Sequence, residues 1–172
     1  PEDKAGLAGL THGLLDTGAG ELDEEKIADR LADIGARLGG SVDQDRASIS
    51  LRSLSSARER EAALELMRLV LQQPMFPAAA LEREKARSIA GIREADTRPG
   101  SIAAKRFAAA LYPGHPYGRL PTVESVEKIT RDDLLAFYRA HYGARRAVVS
   151  IIGDLARAEA EAIAQRLTAG LP

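Results

Sequence analysis

Between Glu24 and Leu51 the hydrophobic period of this 172-residue sequence changes from that of a helix to that of a strand, which excludes an all-helical or an all-strand fold. Ile27, Leu31 and Ile34 recur on one face of a helix running from Glu24 to Ile34, and Gly35 stops it. Leu38, Gly40 and Val42 then alternate as a strand, followed by a turn at Asp43-Gln44-Asp45-Arg46. Ala47, Ile49 and Leu51 alternate with Ser48, Ser50 and Arg52, giving a second strand with one polar face. The spacing predicts an antiparallel hairpin set among helices.

Helical patterns flank it on both sides. Gly6 to Leu15 places Leu7, Leu10, Leu14 and Leu15 on one stripe, and Gly18-Ala19-Gly20 reads as a loop. A helix from Ala57 to Leu71 buries Leu64, Met67, Val70 and Leu71 and ends before Pro74 and Pro77. A longer one, from Ala78 to Asp96, gathers Leu81, Lys85, Ser88, Ile89 and Ile92 on one face, and Arg98-Pro99-Gly100 breaks it. Ile102 to Leu111 is helical again, with Ala103, Phe107, Ala110 and Leu111 expected inward. Thr130 and Asp133 fit a capping box opening a helix with Leu134, Phe137 and Tyr138 inward. Ala147 to Ile152 reads as a buried strand, and a last helix carries Ile163 and Leu167. These elements predict an α+β two-layer domain with a mainly antiparallel sheet covered by helices.

Composition narrows the partners. Hydrophobic residues make up 45% and charged residues 28%, the balance of a chain with a real core. With 24 basic against 25 acidic residues the net charge is −1, which leaves no whole-chain attraction for a polyanion, and no nucleic-acid partner is expected. Cysteine is absent, so disulfides and thiolate metal sites are excluded, while cytosol and periplasm stay equally compatible. No apolar run approaches the roughly 20 residues that a membrane span needs.

Candidate chemistry is sparse. His12 lies one helical turn from Asp16, and such a pair supplies at most two ligands where a catalytic zinc usually has three. His115 belongs to a Pro113-Gly114-His115-Pro116-Tyr117-Gly118 turn, where His and Tyr are expected to anchor the loop by hydrogen bonds. His141 ends a helix, where a cation is modestly favoured. Glu82, Glu84 and Glu94 read as a solvated helix face, and no serine sits in a nucleophile elbow. Phosphate-loop and dinucleotide fingerprints are missing as well.

The first helix has a further property. An inverted zinc-peptidase helix has the form H-x-x-E-H, with two histidines one turn apart over a metal and a glutamate as base. Set on Gly9-Leu10-Thr11-His12-Gly13, that frame puts Gly9 and Gly13 at the histidines and His12 at the glutamate. The Gly6-Leu7-Ala8 entry, Glu82-Arg83-Glu84-Lys85-Ala86-Arg87, His115-Pro116-Tyr117-Gly118-Arg119 and the passage from Phe137-Tyr138 through Tyr142 to Gly153-Asp154 follow in one order. On these residues the chain resembles the pitrilysin/insulinase-type zinc metallopeptidases, the group that includes mitochondrial processing peptidase.

That resemblance implies a third ligand seven residues after the Glu84-Lys85 pair, a position held by Gly91, 78 residues beyond Gly13. All three ligand positions are therefore glycine and the base position is His12. The resemblance implies a non-catalytic subunit or inactive domain: no catalytic residue, no metal ligand and no cofactor in this chain, with zinc in a catalytic homologue carrying H-x-x-E-H. It also implies that Gly91 lies on a helix facing Gly9 and Gly13. The expected role is a chamber-forming or substrate-binding part of a heterodimer that cleaves a peptide substrate. Residues 1–172 are expected to be one peptidase-like domain, a fragment missing its first strands and a second homologous domain whose Arg and Tyr assist the active site. A bacterial setting is expected, periplasmic or cytoplasmic, with the periplasm preferred. Two rivals stand beside this reading: a structural assembly subunit derived from the peptidase fold, and an autonomous metalloenzyme with a relocated site at His12/Asp16.

Overall fold

The computed structural model describes residues 3–172. The chain order is α1 (Leu7–Gly13), β1 (Gly18–Ala19), β2 (Leu22–Asp23), α2 (Glu24–Asp33), β3 (Arg37–Val42), β4 (Ala47–Arg52), α3 (Ala57–Gln72), α4 (Ala78–Ala95), α5 (Pro99–Leu111), α6 (Val123–Glu127), α7 (Arg131–His141) and α8 (Arg157–Thr168), with 3₁₀ turns at Pro116–Gly118 and Ala144–Arg146. Helix dominates, and the strands form two separate antiparallel pairs, β1–β2 and β3–β4. The α+β class therefore holds, with less sheet than expected.

Local chemistry accounts for the boundaries. Asp23 caps α2 by accepting the Lys26 amide at 2.9 Å. Gly35, at φ 62°, lets the chain leave that helix in a left-handed conformation and enter β3. The anticipated antiparallel hairpin is present, pairing Gly40 with Ile49 and Leu38 with Leu51. Gly18-Ala19, expected as loop, instead pairs with Leu22-Asp23, and Ala19 also bridges to Pro74, a long-range partner that local sequence does not announce. Helix α6 was likewise unforeseen; it is one short turn closed by a reciprocal Thr122–Ser125 capping box, with Ser125 Oγ also donating to the Ala5 carbonyl at 2.8 Å.

One hydrophobic core joins Leu7, Leu10, Leu14 and Leu15 of the first helix region to Ile27, Leu66, Val70, Phe76, Leu81, Val126, Ile129, Leu134 and Tyr138. The Leu stripe on α1 is thus the inner face, and α1 packs against α7, β3 and α4. Leu64 and Val70 of α3 are buried as expected, Met67 and Leu71 only half so; Ala63 and Leu66 complete that face. On α4, Leu81 is buried and Lys85, Ser88, Ile89 and Ile92 are half-buried along the anticipated stripe. Lys85 Nζ donates to the carbonyls of Glu127 and Ile129, which ties α4 to the end of α6.

Two expectations fail for the same reason. Ala103, Phe107, Ala110 and Leu111 of α5 face solvent, Phe107 being 68% exposed, while Ile102, Lys105 and Ala108 make the half-buried side. Residues 147–152 form no strand and, Ile151 apart, lie open, with Val148 92% and Ile152 99% exposed. An apolar period says which residues share a face, whereas burial needs a second element over that face. Among the described residues none covers either one. No helix among them is long and apolar enough to cross a membrane.

The anticipated capping box on α7 is present and carries an ion pair besides. Asp133 accepts the Thr130 amide at 2.8 Å, and Lys4 Nζ reaches its two carboxylate oxygens at 2.7 and 2.6 Å. The Lys4 hydrogen bonds, then those from Thr130, hold the Asp133 carboxyl down at about 2, against the pull of burial. A folded-state value below the unfolded one gives stability that is complete above about pH 4 and disappears as the pH falls toward about 2. D133N is expected to cost about 1–2 kcal/mol at neutral pH, for the lost cap and ion pair. Urea midpoints of the two proteins should converge between about pH 4 and about pH 2; a gap that stays constant over that range would assign the effect to something other than the carboxylate.

Candidate functional site

Helix α1 presents two faces of opposite character. Inward lie the leucines, and Thr11, fully buried, returns its hydroxyl to the Leu7 carbonyl at 2.8 Å. Outward lie Gly9 and Gly13, both exposed, with no protein atom within 4 Å of where a Cβ would stand on either. Each glycine costs roughly 1 kcal/mol relative to alanine in a helix interior. One reason for keeping them, room for a close backbone neighbour within this chain, is therefore removed. Gly91 lies on α4, which packs against α1, and it too is exposed with open space beyond its Cα.

Of the three positions that the H-x-x-E-H frame defines, His12 alone carries a side-chain donor or acceptor, and its ring is held. A Cβ on Gly40 of β3 would stand 2.9 Å from His12 Nε2 and 3.0 Å from Cε1, so the imidazole lies flush against a bare strand backbone. On its other edge Nδ1 is 3.4 Å from the hydroxyl of Tyr142, just beyond the end of α7. Burial pushes the Tyr142 phenol up to about 12, so it stays protonated and able to donate. Burial also pushes His12 down, with Asp16 working against it. Asp16 is itself pushed up, first by desolvation, then by Glu24, against its own backbone hydrogen bond and His12. Both members of the i, i+4 pair are thus driven toward their neutral forms, and no hydrogen bond or ion pair of the described residues joins them.

This arrangement does not fit a zinc ion. Glycine offers no side-chain donor at the three positions that the resemblance assigns to ligands, and His12 spends one nitrogen facing Tyr142 and the other against Gly40. Among the described residues no group of three His, Asp or Glu side chains converges on a point where a metal could sit, so His12 and Asp16 have no third partner.

The remaining sequence candidates are placed as follows. His115 Nδ1 accepts the Tyr117 amide at 3.2 Å, the backbone-anchoring role anticipated for it. His141 lies in the last turn of α7 with its ring 4.2 Å from that of Phe137. Glu82 and Glu84 pair with Lys85 and Arg83 at 3.5 and 3.7 Å on α4, and Glu94 pairs with Arg98 just beyond its end. Sequence reasoning missed Gly40 and Tyr142 as the neighbours of His12. Tyr142 lies 130 residues away, and nothing local marks either as part of this site.

Known proteins share this architecture. The model of the peptidase M16 inactive domain matches residues 128–172. The crystal structure of a peptidase M16 inactive domain from Pseudomonas fluorescens superposes with a TM-score of 0.94 at 36% identity, covering 98% of this chain and 42% of that one. Pitrilysin gives a TM-score of 0.79 at 20% identity over all of this chain and 19% of its own, a likeness of fold. A probable mitochondrial-processing peptidase subunit beta of Schizosaccharomyces pombe is 28% identical over 106 residues, 60% of this chain and 23% of its own length. The chain thus spans about a quarter of that curated relative. Its fold is that of the pitrilysin/insulinase-type, or M16, peptidases, and residues 128–172 match that family's inactive domain.

Proposed function

We propose that this chain is a non-catalytic, chamber-forming or substrate-binding part of a heterodimeric zinc metallopeptidase, whose partner carries H-x-x-E-H, the zinc and the general base. The observation that carries this reading is the state of α1 and α4. The two helices pack against one another in a fold like that of a peptidase M16 inactive domain, yet Gly9, Gly13 and Gly91 stand where the resemblance calls for ligands. The hydroxide-generating metal chemistry of such a pair would reside in the partner. In this chain an exposed glycine-lined helix face would border the peptide.

Two expected results test the proposal. The purified chain, dialysed against buffer containing zinc, retains no stoichiometric metal by elemental analysis, because glycine cannot ligate it. One zinc per chain, lost in H12A, would support the relocated His12/Asp16 site instead. Co-expression with a genomic neighbour carrying H-x-x-E-H yields peptide hydrolysis at least about tenfold above either chain alone, as expected when a site needs both halves to position its substrate. Equal activity of the catalytic homologue alone would overturn the partnership.

A further inference from the structure

We propose that Arg37 and Arg52, at the open end of the β3–β4 hairpin, form a carboxylate subsite that takes an acidic side chain of a bound peptide. The proposal deepens the substrate-binding reading above and rests on it. The two arginines are direct cross-strand partners, the pair that ends the ladder. Opposed residues of an antiparallel pair stand with their Cβ atoms about 4.5–5.5 Å apart, where like charges destabilise the sheet. Opposite charges here would strengthen the hairpin, so this pair lowers stability where it stands.

Nothing among the described residues neutralises the pair. The hairpin has five charged side chains, and the three at its turn are engaged. Arg46 pairs with Asp43 at 3.2 Å, and Asp45 Oδ1 accepts the Tyr117 hydroxyl at 2.5 Å. Neither the Arg37 nor the Arg52 guanidinium makes a hydrogen bond or ion pair among the described residues, with Asp33 at the end of α2 included. The hairpin's uncompensated charge is thus positive and concentrated at one end.

Beside the pair lies a recess of about 290 Å³, lined by Gly35, Arg37, Arg52, Ser53 and Leu54. Its parts suit a side chain that ends in a carboxylate. Guanidinium groups present planar N–H forks that match the two oxygens of a carboxylate. The backbone N–H groups of Ser53 and Leu54 donate to no acceptor among the described residues. Gly35 has open space where a Cβ would stand, and Leu54, 57% exposed, offers apolar surface to a methylene stem. The exposed face that the arginines share carries only Gly39, Ser41, Ser48 and Ser50, so no bulky side chain of that face bars an extended peptide.

Fluorescence anisotropy of the whole chain tests this with a rhodamine-labelled Gly/Ala peptide carrying two glutamates, against the same peptide with glutamines in their place. The glutamate peptide should bind about tenfold more tightly at low salt, and about 0.5 M salt should remove most of that margin. R37Q and R52Q should each abolish the margin, and R52K should keep part of it, because lysine retains the charge without the fork. R139Q, on the exposed side of α7, should keep all of it. Urea midpoints of R37Q and R52Q should match or exceed that of the wild type, since a like-charge opposition is relieved. Lower midpoints together with lost binding would make the pair structural and overturn the subsite. So would a margin missing in the wild type, kept in R37Q and R52Q, or lost equally in R139Q, whatever the co-expression assay shows. Displacement of the peptide by submillimolar inorganic phosphate would reassign the site to phosphate and overturn the carboxylate.

Discussion

Phe76→Ala is expected to remove about 3–5 kcal/mol of stability, the range for deleting a buried aromatic ring. Phe76 has no exposed surface and lies in the one core cluster. Its ring meets that of Tyr138 edge-on at 6.2 Å, and Tyr138 anchors itself by donating to the Leu71 carbonyl at 2.7 Å. The backbone at Phe76 has φ 48°, a left-handed conformation that a bulky residue just before a proline adopts only under constraint. The constraint is visible: Arg131 donates to the Phe76 carbonyl at 2.9 Å and to the Met75 carbonyl at 2.8 Å. Alanine would keep the backbone strain and lose the packing that holds it. Urea denaturation with a fixed m-value reads the change; a loss below about 1 kcal/mol would show that the cavity collapses freely around the site.

Gly40→Ala is the second large effect, at about 1–3 kcal/mol for overpacking. The added Cβ would stand 2.2 Å from the Ser48 carbonyl oxygen and 2.9 Å from His12 Nε2. These obstacles differ in kind. The imidazole can swing aside, at the expense of its contact with Tyr142, whereas the carbonyl moves only if the β3–β4 ladder opens. H12A should therefore restore only part of the stability that G40A removes. A complete rescue would show that the ring is the sole obstacle, and the double-mutant cycle measures the difference directly.

Legibility followed the range of the interactions. The Thr130–Asp133 box and the Gly35 stop were readable because each is closed within three or four residues. The hairpin was readable because its register follows from alternation and a four-residue turn. Lys4 on Asp133 and Tyr142 on His12 span well over a hundred residues, and no local pattern encodes them. On α5, Phe107 and Leu111 follow a helical period, but the period cannot say that nothing of the described chain packs there. At the candidate site the lack of a side-chain donor at Gly9, Gly13 and Gly91 was legible, because it follows from residue type. What occupies His12 was not.

The open run from Ala147 to Ile152 has a bearing on how this polypeptide behaves in concentrated solution. Its six residues carry no charge and no proline, four of them are β-branched, and they pair with no strand among the described residues. Segments of that composition are templates for intermolecular cross-β growth. Arg145 and Arg146 stand directly before it and Asp154 just after it, so any copy that stacks in parallel register must bring like charges together at both ends. Charges flanking an apolar run in this way disfavour fibril growth, so replacing Arg145, Arg146 and Asp154 with alanine is expected to speed aggregation, as thioflavin fluorescence would read.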